Sequence, residues 1–245
     1  MSSTATAPKT DLAALNAQFG ALDYRERFEL IREHFAEGGI ITSTSAGAQA
    51  AVMLHLVGKY APETPVIFID TGYHFPETYQ FLEDLKERFD LNLKVYNPAM
   101  TAARQEAVYG KLWESGDDEG HDKYGLINKV EPMNRALKEH GAGAWLSGVR
   151  RAHSKDRQNM EFFMQQKETV KIYPILDWSD NDIANYITLN GLPHHPLVAK
   201  GYVSIGDWHS TKPLEEGMTA EDTRFNGERR ECGLHVESSE GDYMI

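Results

Sequence analysis

Between residues 23 and 35, Phe28, Leu30, Ile31 and Phe35 recur at the spacing of one helix face, and the run stops at Gly38-Gly39. Ile40-Ile41-Thr42 follows, short and β-branched, and predicts a buried strand. Residues 47–60 predict a helix on Ala50, Ala51, Leu54 and Val57, ending before Pro62. Pro65-Val-Ile-Phe-Ile69 is the clearest strand of the chain, bounded by Asp70-Thr71-Gly72. Pro76, suited to a first helical turn, starts a helix to residue 89, and residues 91–96 predict a third strand. Helices over 101–109 and 130–140 lead to a strand at 144–147, then a fifth strand at 170–175 and a helix over 180–189.

Strands alternating with helices predict an α/β fold, a doubly wound, mostly parallel sheet covered on both faces. Ligands of such sheets sit beyond the carboxyl ends of the strands, where strand order reverses. For a 3-2-1-4-5 order, that crevice lies between the first and fourth strands. The segments there are Ser43-Thr-Ser-Ala-Gly-Ala-Gln49, small and rich in backbone donors, and Gly148-Val-Arg-Arg-Ala-His-Ser154, which is basic.

Composition narrows the class. With 245 residues, 41% hydrophobic and 25% charged, and a mean hydropathy of −0.50, the chain suits one domain with a sizeable core. That domain is expected over residues 23–215, after a flexible N-terminus (1–22) and before a mobile C-terminal tail (216–245). No apolar run approaches the roughly 20 residues of a membrane-spanning helix. The first ten residues lack the charged-then-apolar layout of a secretion signal. The single cysteine, Cys232, excludes an internal disulfide and a thiolate-held iron–sulfur cluster, and points to a reducing cytoplasm. A net charge of −12 argues against nucleic-acid or anionic-membrane partners, while leaving room for a small anion where cations cluster.

Three segments carry candidate chemistry. Small residues from Ser43 to Gln49 let backbone N–H groups and hydroxyls approach a phosphate at a helix N-terminus, although an ordinary strand–helix turn has the same look. No Lys follows the glycine, so it is not the Walker pattern. Arg150, Arg151, Lys155 and Arg157 face only Asp156, an excess that either binds an anion or makes a solvated turn. Around Cys232 lie Arg224, Arg229 and Arg230, and nearby cations raise a thiol's thiolate fraction. A lone cysteine is often a buried small hydrophobe. This one lacks apolar periodicity around it, lies near the chain end, and reads as an exposed nucleophile. His194, His195 and His209 lack the helical pairing of a zinc enzyme, so no metal is expected. Asp207-Trp-His-Ser210 is polar and aromatic enough to line a site.

The motifs resemble the thioredoxin-dependent phosphoadenylyl-sulfate (PAPS) reductases of assimilatory sulfate reduction. The matching stretches are Ser43-Thr-Ser-Ala-Gly47, Asp70-Thr-Gly-Tyr-His-Phe-Pro-Glu-Thr78, Tyr109-Gly-Lys-Leu-Trp113, Asn128-Lys-Val-Glu-Pro-Met133, Gly148-Val-Arg-Arg151, Gly201-Tyr-Val-Ser-Ile-Gly-Asp207 and Glu231-Cys-Gly-Leu-His235. The last is the family's nucleophile signature. Relatives that reduce adenylyl sulfate hold a 4Fe–4S cluster with cysteines where this chain has Tyr124-Gly125 and Asp207-Trp-His-Ser210. That departure implies the cluster-free, PAPS-reducing branch with no bound cofactor. The nucleotide half also resembles the ATP-pyrophosphatase superfamily, with its adenine-nucleotide alpha-hydrolase-like fold. The Lys and Asp that those enzymes use on pyrophosphate are Ala48 and Gln49 here.

The resemblance implies that PAPS is bound by Ser43, Thr44, Ser45, Gly47, Asp70, Thr71, Gly72, Lys129, Arg150, Arg151, Arg157, Arg224, Arg230 and His235. On the same resemblance, Cys232 is expected to attack sulfur, release adenosine 3′,5′-bisphosphate and carry a thiosulfonate that reduced thioredoxin clears as sulfite. A homodimer is expected from the family. A cluster-free adenylyl-sulfate reductase, an ATP pyrophosphatase and a non-catalytic nucleotide-binding module are the competing readings.

Overall fold

The computed structural model describes residues 11–35, 39–115, 118–153 and 157–224. Its strands are β1 (Ile40–Thr44), β2 (Val66–Ile69), β3 (Leu93–Tyr96), β4 (Ala144–Leu146), β5 (Phe163–Gln166) and β6 (Thr169–Ile172). They form one sheet in the order β3-β2-β1-β4-β6-β5, parallel except for the β5·β6 pair. The predicted 3-2-1-4-5 arrangement is present, its fifth strand being β6. β5 is an antiparallel edge strand that the hydrophobic pattern does not announce. Only Phe163 of Phe163-Met-Gln-Gln166 is fully buried, as suits a strand with one side in water.

Among the described residues there are eight α-helices: α1 (Leu12–Phe19), α2 (Tyr24–Phe35), α3 (Ala50–Tyr60), α4 (Pro76–Phe89), α5 (Ala102–Tyr109), α6 (Asp118–Gly125), α7 (Glu131–Glu139) and α8 (Asp180–Asn190). The central strands are apolar because parallel strands bury both faces, and β2 is buried at every position. On one face Phe19, Phe28, Leu54, Leu56 and Leu146 belong to the main core. On the other, Ile41, Ile67 and Trp145 pack with Met133 and Ala136 of α7. Alternate residues of a strand point to opposite faces, so one set of strands builds both layers.

Within the stretch expected to be flexible (residues 1–22), the described part holds α1. Asp11 caps it by accepting from the Ala14 N–H at 3.1 Å, and Leu15 and Phe19 are buried. Arg27 of α2 fixes the packing: its Nε donates to Phe19 O, and both its Nη atoms reach the Asp177 carboxylate at 2.7 Å.

A second departure lies between β3 and β4. The predicted helix over 130–140 extends upstream, because α6 runs through a π turn at Leu126–Val130 into α7. Pro132 has no N–H for the carbonyl of Asn128, and its ring crowds that carbonyl. The widened turn accommodates it. Gln105 and Asn128 exchange amide hydrogen bonds of 2.8 and 3.0 Å beneath the turn, and Lys129 is carried inward. Such π turns often sit at functional sites.

Candidate active site

At the carboxyl ends of β1 and β4 lies a crevice of about 460 Å³. Its first wall is the loop from Ser43 to Gln49. Ala46 is fully buried at φ 48°, and its N–H is held by Thr44 Oγ1 at 3.0 Å. Ser43 Oγ accepts from Trp145 Nε1 at 2.8 Å, which ties this loop to β4. Ser43, Thr44, Ser45 and Gly47 all line the crevice.

The opposite wall is the segment after β4. Arg150 lines the crevice although it is only 1% exposed. Its Nη2 donates to Gln49 Oε1 at 2.7 Å and Asp180 Oδ1 at 2.8 Å, and its Nη1 to Trp178 O at 3.0 Å. Arg150 therefore braces three segments while placing a positive charge in the wall. Arg157 also lines the crevice. Arg151 does not: its guanidinium donates twice to Met160 O and lies over the Phe162 ring. Neighbouring arginines on a tight turn point apart, so only one of the pair enters the crevice.

The floor comes from the turn after β2 and from the π turn. Thr71 and Lys129 line the crevice; Asp70 and Gly72 do not. Asp70 instead shapes the turn, accepting from the Gly72 N–H at 2.9 Å and from Tyr79 OH at 2.6 Å, with Gly72 at φ 77°.

Beneath this floor sits Asp207, 1% exposed. Lys129 Nζ lies 2.6 Å from its Oδ2, Tyr124 OH donates to Oδ2 at 3.0 Å, and Thr71 Oγ1 donates to Oδ1 at 2.6 Å. Burial pushes the Asp207 carboxyl up, but Lys129, then His74 and the Thr71 hydrogen bond, outweigh it and hold it well below the usual carboxylate range. His74 also lines the crevice, its Nε2 at 3.0 Å from Ile69 O and its Nδ1 at 3.9 Å from Asp207 Oδ1. Burial pushes the nearby His209 ring down to about 4, so it is neutral at pH 7. That ring stacks on Trp113 at 4.6 Å and meets Tyr124 OH at 3.1 Å.

Arg224 closes the rim. Thr211 and Arg224 form an antiparallel bridge, and Arg224 lies against Gly206 on the crevice side. Cys232, Arg230 and His235 lie outside the described residues. The pattern of single residues missed Asp207 and His74 as parts of one cluster. Their signal was the pair of motifs containing Tyr73-His74-Phe75 and Ile205-Gly206-Asp207.

The sequence profile of the phosphoadenosine phosphosulfate reductase domain matches residues 39–213. A phosphoadenosine 5′-phosphosulfate reductase from Alkalilimnicola ehrlichii is 49% identical, covering 92% of this chain and 91% of the relative. One from Escherichia coli O157:H7 is 50% identical, covering 93% and 94%. The chain belongs to the phosphoadenosine phosphosulfate reductase family. The structure is similar to the phosphate complex of phosphoadenylyl-sulfate (PAPS) reductase from Candida auris, with a TM-score of 0.70 and 31% identity over 84% of this chain and 98% of that one. FMN adenylyltransferase from Candida glabrata, with FAD and inorganic pyrophosphate, is 17% identical with a TM-score of 0.57 over 97% and 81%, a likeness of fold alone. Within this PAPS reductase fold, three positions matched to cluster cysteines by the resemblance lie together: Tyr124 and Ser210 both hydrogen-bond to Asp207.

Proposed function

We propose that the chain reduces 3′-phosphoadenylyl sulfate to sulfite and adenosine 3′,5′-bisphosphate, with reduced thioredoxin as electron donor and Cys232 as nucleophile. Its family makes it an oxidoreductase acting on a sulfur group. The observation that carries the reading is the strand-end crevice in a chain about half identical, nearly end to end, to named PAPS reductases. Lys129, Arg150, Arg157 and Arg224 line that crevice. These cations suit a nucleotide bearing several phosphates, and the small Ser43–Gly47 loop lets its backbone approach them.

In the first step, the Cys232 thiolate attacks the sulfur of the bound sulfonate. The S–O bond to phosphate breaks, and its electron pair leaves with adenosine 3′,5′-bisphosphate, whose charge the crevice cations stabilise. Cys232 then carries S–SO₃⁻. A thioredoxin thiolate attacks the Cys232 sulfur, and the electron pair of the S–S bond leaves with sulfite. The second thioredoxin thiol resolves the mixed disulfide, so thioredoxin ends oxidised and Cys232 returns as a thiol. The chemistry belongs in a compartment that supplies reduced thioredoxin, the cytoplasm. The expected assembly is a homodimer.

Intact mass after mixing the reduced protein with PAPS alone tests the reading. One SO₃ is gained on Cys232, and thioredoxin removes it as sulfite. Cys232→Ser loses turnover while keeping its affinity for adenosine 3′,5′-bisphosphate. Labelling by adenylyl sulfate alone moves the substrate assignment, and labelling by neither sinks the reductase reading.

A further inference from the structure

The crevice contains a carboxylate where a polyanion is to bind. Asp207 offsets the Lys129 charge from 2.6 Å away, so it weakens the electrostatic attraction of the site. A fold selected only for positive charge would leave it out. What the ion pair provides is placement. A lysine ammonium rides on a flexible four-carbon stem and otherwise samples many rotamers. Here its side chain is 10% exposed and meets a carboxylate that is itself held from two other elements. Thr71, in the turn after β2, donates to Oδ1, and Tyr124, at the end of α6, donates to Oδ2. Burial and the Asp207 charge push the Tyr124 phenol up, so it stays a donor.

Asp207 does reach the crevice lining, but its two oxygens are turned to Lys129, Thr71 and Tyr124. Its own negative charge repels a phosphate or sulfonate. It can therefore serve the reaction only through a neighbour, and the cation within hydrogen-bond reach is Lys129, at 2.6 Å, with His74 Nδ1 farther off at 3.9 Å.

We propose that Asp207, with the Thr71 and Tyr124 hydroxyls, is a positioning residue that fixes the Lys129 ammonium against the transferring sulfonate and its leaving phosphate. The proposal rests on the PAPS-reductase reading. The residue trades strength of binding for accuracy of charge placement, which is worth more at the reacting bond than along the nucleotide.

Two quantities separate this role from a structural one: the single-turnover rate of SO₃ transfer to Cys232, and the affinity for adenosine 3′,5′-bisphosphate. Asp207→Asn keeps the shape and removes the charge. It slows transfer on the order of 10- to 100-fold, the scale of a displaced electrostatic group, while product affinity is unchanged or tighter. In a Lys129→Met background, the same substitution slows transfer no further. Tyr124→Phe, which removes one hydroxyl outside the crevice lining, slows transfer by a smaller factor at unchanged affinity, and it decides the matter if Asp207→Asn does not fold. Rate and affinity falling together, or losses that multiply in the Lys129→Met background, overturn the proposal. A wild-type protein that takes no SO₃ from PAPS overturns the functional reading and this one together. Transfer in the wild type with multiplying losses in the variants overturns this one alone.

Discussion

Gly206 has room for a hydrogen and nothing larger: a Cβ built there would lie 2.5 Å from both Nη atoms of Arg224. The obstructing group is the end of a flexible side chain, so Gly206→Ala displaces Arg224 rather than unfolding the loop. Adenosine 3′,5′-bisphosphate should bind more weakly to this variant, with a shallower dependence on salt, while the melting temperature barely moves. Calorimetric titration at two ionic strengths reads this, and an unchanged salt slope removes Arg224 from the anion site. The same close approach explains why single residues were hard to read in advance. Arg150 and Arg151 are identical in sequence terms, yet one braces the crevice and the other caps Met160 O. The Asp207–Lys129 pair joins positions far apart in the chain, and no local pattern announces it. The small Ser43–Gly47 loop and the basic segment were legible because strand ends in this architecture have a known use.

Among the elements, those legible in the sequence had clear boundary residues and either a continuous apolar run or a helical apolar face. β2 is four apolar residues bounded by a proline and an aspartate, and α4 begins at a proline suited to a first turn. β5 was illegible because an edge strand needs only half its face apolar, and the π turn because hydrophobic period does not distinguish it from the helix it interrupts. Close packing between elements makes its own prediction. A Cβ at Gly58 of α3 would lie 2.7 Å from Phe89 O at the end of α4, a backbone atom that cannot swing aside. Gly58→Ala should destabilise the protein by about 1–3 kcal/mol, the usual cost of overpacking, despite alanine's better helix propensity. Urea denaturation measures it; a gain in stability would mean that α3 and α4 separate without cost.

For the whole molecule, buried histidines set the response to acid. Burial pushes His195 down to about 4 where its Nδ1 accepts from the Leu197 N–H and its Nε2 meets Thr78 Oγ1. His209 is pushed down to about 4 as well. Unfolded, each ring titrates near its ordinary 6.5. Between those values the unfolded chain binds more protons, so the stability that the neutral rings supply is complete above about 6.5 and is lost as pH falls toward 4. Asp207, held below the carboxylate range, adds no loss in that window. Unfolding free energy measured by urea at pH 7.5, 6 and 5 should fall at each step, and His195→Gln should flatten the slope. A flat profile in the wild type would show that neither ring is buried neutral.

The position of Arg224 at the crevice rim also sets a leash. Cys232 is the eighth residue after it, and eight extended peptide units span at most about 29 Å. Whatever path those peptide units take, the thiol is confined to a sphere of that radius around the rim, an effective concentration on the order of 10 mM. With Cys232 as the proposed nucleophile, a substrate in the crevice would meet a thiol that dilution of the protein does not thin. A free thiol of equal reactivity, offered to a chain without Cys232, would have to reach a similar concentration to compete.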